Sequence, residues 1–265
     1  MTVEPIDDPS DPRLADYREL RDPDRRRARG LFVVEGRLLV ERLLAAARFR
    51  TRSVLVTPSM AATLAPVLTP AAWPTYVASH DIIRAIVGFK FHRGALALGE
   101  RGEELAIAAL LDVPGPRTLV ALEDVVDPEN VGGVMRSARA FGADGMLMTS
   151  GTADPLGRKA IRASAGSALT LPFARATGWA EDLARVRTAG FTLVALTPDP
   201  AARDIADVAA QRSARVALLL GSEGGGLTRA ARAAADVEAR IAIASGVDSL
   251  NVVVAVGIAL HRLRR

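Results

Sequence analysis

Beyond residue 117 the chain consists of short, continuous apolar runs separated by segments whose apolar residues recur at helical spacing. The runs are TLVALEDV, GMLMTS, TLPFA, FTLVALT, RVALLLG and ARIAIA. Runs of this length, bounded by turn residues, suit strands that are buried on both faces. Alternating with them as helices are ENVGGVMRSARAFG, RKAIRASAGSAL, the stretch from Trp179 to Thr188, a segment from Leu227, and SLNVVVAVGIALHRLR. Such alternation predicts an α/β fold: a mostly parallel sheet flanked by helices.

The pattern before residue 103 differs. GLFVVEGRLLVERLLAAA (30–47) gives a short strand and then a helix, and RSVLVTP (52–58) gives another strand. A helix, a Pro-rich break at TPAAWP, and HDIIRAIVGF follow. These make a small α/β unit. GEELAIAALLDVPGP (102–116) reads as a connecting helix stopped by Pro-Gly-Pro. The sequence thus divides into a small α/β domain over 1–104, a linker over 105–116 and a second domain over 117–265.

Composition agrees with two folded domains, since 265 residues can bury two cores, and 49% hydrophobic with 24% charged residues is ordinary globular chemistry. The absence of cysteine excludes a disulfide framework, a thiolate zinc site and a cysteine nucleophile, and points to a reducing compartment. MTVEPIDDPSDPR lacks the basic-then-apolar order of a signal peptide, and no apolar run has membrane-spanning length, so the expectation is a cytoplasmic protein. The net charge of +4 is modest, and its distribution says more. Arg13, Arg18, Arg21, Arg25, Arg26, Arg27 and Arg29 crowd the start of the chain, interleaved with Asp16, Glu19, Asp22 and Asp24. Such a run is either a solvated face laced with ion pairs or a phosphate-tracking surface, because guanidinium forks match phosphate oxygens.

Parallel α/β sheets bind ligands outside the carboxyl ends of their strands, which directs attention to the loops after them. Three carry unusual residues. In DPEN (127–130), Asp127 can cap a helix whose first position is Pro128. GSEGGGLT (221–228) follows an apolar strand directly, and in SGVDSLN (245–251) Asp248 or Ser249 can cap the final helix. Common glycine motifs fail by letter. Leu227 stands where a P-loop needs lysine, no GxGxxG follows a strand, and RASAG lacks the first glycine of a GxSxG elbow. His80, His92 and His261 offer no metal spacing. Elimination leaves Gly-rich backbone combined with Asn130, Arg136, Glu223, Ser249 and Asn251. Asn130 and Arg136 have no use in a core helix. Six residues apart, or about 600° of helical rotation, they share a site only if other loops or a second subunit close over the helix.

Together the three loops resemble the three sequence motifs of the SpoU (TrmH) class of SPOUT RNA methyltransferases, which move a methyl group from S-adenosylmethionine to a ribose 2′-hydroxyl. VALEDVVDPENVGGVMRSARAFGADG resembles the first, with Asn130 and Arg136 at its asparagine and arginine. LLLGSEGGGLT resembles the second, with Glu223 at its glutamate, and IAIASGVDSLNVVVAVGIAL the third, with Ser249, Leu250 and Asn251 at its Ser-Leu-Asn. KAIRASAGSALTLPFA is similar to the family between motifs, and FVVEGRLLVERLL to the substrate-binding domain that precedes it in many members. One departure is Ala242, where the third motif usually has proline.

The resemblance implies a trefoil knot near the C-terminus, a homodimer, and RNA as partner, with rRNA favoured over tRNA because of the front domain. It places S-adenosylmethionine against Gly221, Ile241 and Leu250, with Thr197 as a further contact; tight Gly-rich loops suit this, because their backbone can pair with an adenine edge at close approach. Ile241 and Leu250 also read as ordinary core residues, and Gly224–Gly226 as a plain turn. The family's proposed base corresponds to Arg136. Free arginine has a pKa above about 12, so either the site depresses it strongly or Arg136 stays charged and stabilises the developing alkoxide. Asn130 and Glu223 would orient Arg136, while Ser249 and Asn251 would sit beside cofactor or ribose. A non-catalytic RNA-binding or assembly factor of the same fold is the alternative, and the intact set of five polar residues argues against it.

Overall fold

A computed structural model of the chain describes residues 3–18, 20, 27–69, 73–88 and 91–264. Arg21, Arg25 and Arg26 of the arginine run, with Glu19, Asp22 and Asp24, and residues 70–72 of the Pro-rich break lie outside the described residues. The chain forms two compact units: Met1–Glu103 with Leu156–Thr170, and Glu104–Pro155 with Leu171–Arg265. The segment 156–170, which the sequence division places in the second domain, belongs to the first unit.

The first unit is built on a five-stranded sheet of order β1-β4-β3-β5-β2. Its strands are β1 (Val3–Ile6), β2 (Leu31–Glu35), β3 (Thr51–Val56), β4 (Thr75–Ala78) and β5 (Ala95–Glu100). Here β5 runs antiparallel to both β2 and β3, while β4 is parallel to β1 and β3. Gly99 belongs in β5 for a steric reason: a Cβ there would lie 2.2 Å from the ring of Phe32, which crosses it from β2. Helices Arg37–Ala45, Pro58–Leu68 and His80–Val87 connect the strands. The buried cluster of Val33, Leu55, Ile83, Phe91, Leu96 and Leu98 forms the core.

The second unit has a seven-stranded sheet of order β10-β12-β9-β11-β6-β7-β8, with every pairing parallel. Its strands are β6 (Arg117–Leu122), β7 (Gly145–Met148), β8 (Phe173–Arg175), β9 (Thr192–Leu196), β10 (Arg203–Asp204), β11 (Arg215–Leu220) and β12 (Val237–Arg240). Leu119, Ala121, Leu147, Leu193 and Leu219 pack with Leu183 and Val186 of the helix Trp179–Thr188. The helix Pro128–Ala140 packs against the C-terminal helix Val252–Leu263, and Gly133 sets that approach: a Cβ on it would meet Val253 Cγ2 at 2.6 Å.

Several elements differ from the sequence reading. Strands β1, β4, β5 and β10 and the helix Ile205–Ala210 are additional. The connecting helix expected over 102–116 is only Ala108–Leu111, because Pro114, Gly115 and Pro116 stop it and residues 101–105 have no regular structure. Strand β12 ends at Arg240, one residue before Ile241.

Candidate active site

The strand order places the three polar loops together. Carboxyl ends of β12, β9, β11 and β6 follow one another across the sheet, and after them come Ile241, Thr197, Gly221 and the DPEN loop. From β6 the sheet extends one way to β7 and β8 and the other way to β11 and β9, a reversal of strand order of the kind that opens a crevice for ligands.

The DPEN turn is fixed locally. Asp127 accepts a hydrogen bond from the Glu129 N–H at 2.8 Å, Pro128 takes the first helical position, and Asn130 follows in the first turn. The Asn130 side-chain amide then donates to the Glu223 carboxylate, and its carbonyl oxygen accepts from Asn251 Nδ2 at 3.2 Å. Asn251 Oδ1 in turn accepts from the Val253 N–H at 2.9 Å and caps the C-terminal helix. One chain of hydrogen bonds therefore joins all three loops. Asn251, and not Asp248 or Ser249, is the cap, because the helix begins at Val252 and only the residue before it has its side-chain oxygen at the free N–H groups.

The glycine loop folds back on itself through the Gly226 N–H to Ser222 carbonyl bond of 2.9 Å. Gly221 lies so close to the returning strand that a Cβ would stand 1.9 Å from the Gly226 carbonyl carbon. Where the loop ends, the buried Glu123 carboxylate accepts the Thr228 N–H and the Thr228 hydroxyl, each at 2.8 Å, and Thr228 caps the following helix. Sequence reasoning missed Glu123. An acid directly after an apolar strand was the available signal.

Arg136 stays apart from this chain of bonds. It lies six residues beyond Asn130 on the same helix, is exposed, and has no hydrogen-bond or ion-pair partner among the described residues. Ser249 is exposed two residues before the cap. Thr197 takes the Ala239 carbonyl with its N–H at 2.9 Å and its hydroxyl accepts from the Asp199 N–H at 3.3 Å. From Ile241 to Leu250 the backbone has no regular structure, and among the described residues it closes on itself only at the Val247 N–H to Ala244 carbonyl contact of 3.3 Å. Amide groups left over in this way, beside a loop with no room for a Cβ, fit an adenine edge and an extended amino-acid tail. Among the described residues no group of three or more His, Cys, Asp or Glu could hold a metal ion, and no helix is long and apolar enough to cross a membrane.

Comparison with known proteins follows the same lines. The SpoU rRNA Methylase family model matches residues 117–261. A tRNA/rRNA methyltransferase of Mycobacterium bovis is 40% identical over all of this chain and 93% of its own length. The RlmB 23S rRNA (guanosine-2′-O-)-methyltransferase of a Burkholderia species is 35% identical over 69% of this chain and 74% of its own. Among solved structures, an S-adenosylmethionine-bound rRNA methyltransferase from Sinorhizobium meliloti superposes with a TM-score of 0.82 at 28% identity, covering 99% of this chain and 98% of that one.

Proposed function

This chain belongs to the SpoU rRNA methylase family, and from that membership we propose that it methylates a ribose 2′-hydroxyl of RNA, ribosomal RNA in preference to tRNA. The observation that carries the reading is the hydrogen-bonded sequence Glu223, Asn130, Asn251, which ties the three polar loops together at the carboxyl ends of adjacent strands. A non-catalytic RNA-binding protein would have no need of it.

Thr197, Gly221, Ile241 and Leu250 would hold S-adenosylmethionine, which supplies a methyl group activated by a positively charged sulfur. The chain's own residues have two tasks: to align the attacking ribose oxygen and to accommodate the charge that grows as its proton leaves. Asn130 and Asn251 present amide groups fixed by their mutual bond and by Glu223, and Ser249, two residues before Asn251, would serve the ribose. Arg136, whose guanidinium has no partner among the described residues, would stabilise the alkoxide as a cation.

The same geometry favours a homodimer. On the C-terminal helix, Val254 and Ile258 are exposed apolar residues beside Phe141 and His261 in a groove of about 480 Å³, a face that a second copy would cover. A cytoplasmic location goes with a ribosomal RNA substrate.

Methyl transfer from labelled S-adenosylmethionine to ribosomal RNA tests the reading. The labelled linkage should resist alkaline hydrolysis, since the blocked 2′-oxygen cannot attack its phosphate. Label in a base, or none in RNA, would refute it.

A further inference from the structure

The first unit holds two arginine-rich regions, and their surroundings differ. Among the described residues near the start of the chain, Arg13 and Arg29 are paired with acids. Arg13 lies 2.6 Å from Asp11 and 2.7 Å from Glu4, and Arg29 lies 3.4 Å from Asp16. Arg52 stands 3.8 Å from Asp16 and 3.7 Å from Glu100. Arg18 donates to the Pro9 carbonyl at 2.9 Å.

About Gly36 the balance is reversed. The buried carboxylate of Glu35 accepts two hydrogen bonds from Arg158, at 2.9 and 2.6 Å. Gly36 has a φ of +97°, and the Arg93 side chain crosses it so closely that a Cβ would meet Arg93 Cδ at 2.9 Å. Arg42 crosses Gly166, φ +82°, in the same manner at 3.0 Å. Lys159 and Arg162 stand on the short helix Arg158–Ala163, with Arg162 one turn from Arg158. Arg42, Arg93, Lys159 and Arg162 have no hydrogen bond or ion pair among the described residues. The acids on β2, the helix Arg37–Ala45 and the helix Arg158–Ala163 are Glu35, engaged by Arg158, and Glu41, 3.1 Å from Arg37.

Four cations without counter-charges, two of them lying over bare glycine backbone, repel one another unless an anion covers them. We propose that this face, and not the paired Arg13 and Arg29, is where the first unit grips the RNA phosphate backbone. The inference rests on the RNA-methylating function proposed above. Polyanion binding suits the arrangement because each phosphate engaged releases condensed counterions, which makes affinity fall with salt in proportion to the contacts.

The test is a titration of the full-length protein with a mixed-sequence stem-loop RNA at several salt concentrations, with S-adenosylhomocysteine present. The triple variant Arg42→Ala, Arg93→Ala, Arg162→Ala should bind at least tenfold more weakly at low salt, and its slope of log Kd against log salt should be smaller by about 2 to 3. Arg13→Ala with Arg29→Ala should leave both unchanged, as should either variant the affinity for S-adenosylhomocysteine. Lys159→Ala, an exposed single change, should reduce the slope by about 1 and serves if the triple variant does not fold. Wild-type affinity and slope in the triple variant or in Lys159→Ala, or an equal loss on removing Arg13 and Arg29, would overturn the assignment. The two proposals fail separately. RNA binding through this face without methyl transfer refutes the function alone, and methyl transfer by wild type with undiminished binding by the variants refutes the surface alone.

Discussion

Asn130 donates its side-chain amide to the Glu223 carboxylate across 93 residues of sequence, while its carbonyl oxygen accepts from Asn251. Only a side chain with a donor at one end and an acceptor at the other can serve a carboxylate and an amide together. Aspartate has nearly the same shape and loses the donor. It would set two carboxylates against each other, and one would have to take up a proton.

Asn130→Asp should therefore lower kcat/KM near neutral pH by roughly tenfold to a hundredfold, as expected for losing a hydrogen bond to a charged group worth about 1.5–3 kcal/mol. The like charges raise the pKa of one carboxyl, so activity should recover in part as pH falls and the shared proton restores a donor. The swap Asn130→Asp with Glu223→Gln returns a donor facing an acceptor and should regain much of the rate. Steady-state kinetics across pH decide it: a double variant no better than Asn130→Asp would detach the pair from catalysis.

A second expectation concerns Gly221. A Cβ there would strike the protein's own backbone, at Gly226 and Leu227. Gly221→Ala should thus deform the whole loop, weakening S-adenosylhomocysteine binding by more than tenfold and lowering the melting temperature as well. Gly225→Ala, whose Cβ would meet only the Ser222 hydroxyl oxygen at 3.1 Å, should keep both near wild type. Calorimetry and thermal melting on the two proteins separate these outcomes, and wild-type affinity in Gly221→Ala removes the loop from the cofactor site.

Gly133 offers a test of helix packing. Gly133→Ala places a methyl 2.6 Å from Val253 Cγ2 and should destabilise by about 1–3 kcal/mol, the range for overpacking a tight contact. Because a single valine side chain is what obstructs it, Val253→Ala in the same protein should relieve part of the loss. Denaturant unfolding of both singles and the double gives the coupling. Strict additivity would place the clash elsewhere.

The sequence made the second unit far more legible than the first, for reasons visible in particular elements. TLVAL (118–122) and VALLL (216–220) are buried on both faces, so hydrophobicity alone marks them. Strand β5 lies in ALALGE, where glycine and alanine carry little strand preference, and it exists because β2 and β3 pair with it from distant positions. β10 has two residues and owes its assignment to β12. In the site, the polar residues themselves were legible by elimination and resemblance. The cap at Asn251 was not, since Asp248, Ser249 and Asn251 all have capping side chains and only the fold chooses where the helix starts. Glu123 was hidden because its partner, Thr228, lies 105 residues away.

Arg136 and Asn130 carry the last prediction. About 9 Å of helical rise and well separated azimuths divide them within one chain, and Arg136 finds no partner there among the described residues. If the guanidinium serves an active site assembled with the second copy, each site draws Arg136 and Asn130 from different subunits. Arg136→Ala alone should abolish turnover and leave S-adenosylhomocysteine affinity within several-fold, since the arginine is assigned to the ribose side. Asn130→Ala alone should be strongly impaired. When the two variants are mixed under conditions that exchange subunits, each heterodimer has one site lacking both groups and one site intact, so activity should return to about half of wild type per heterodimer. Separately tagged chains purified through both tags give that species for assay. A heterodimer no more active than its parents would mean that Arg136 and Asn130 act within the same subunit, or that Arg136 acts elsewhere; a fully active Arg136→Ala homodimer would remove the arginine from the reaction.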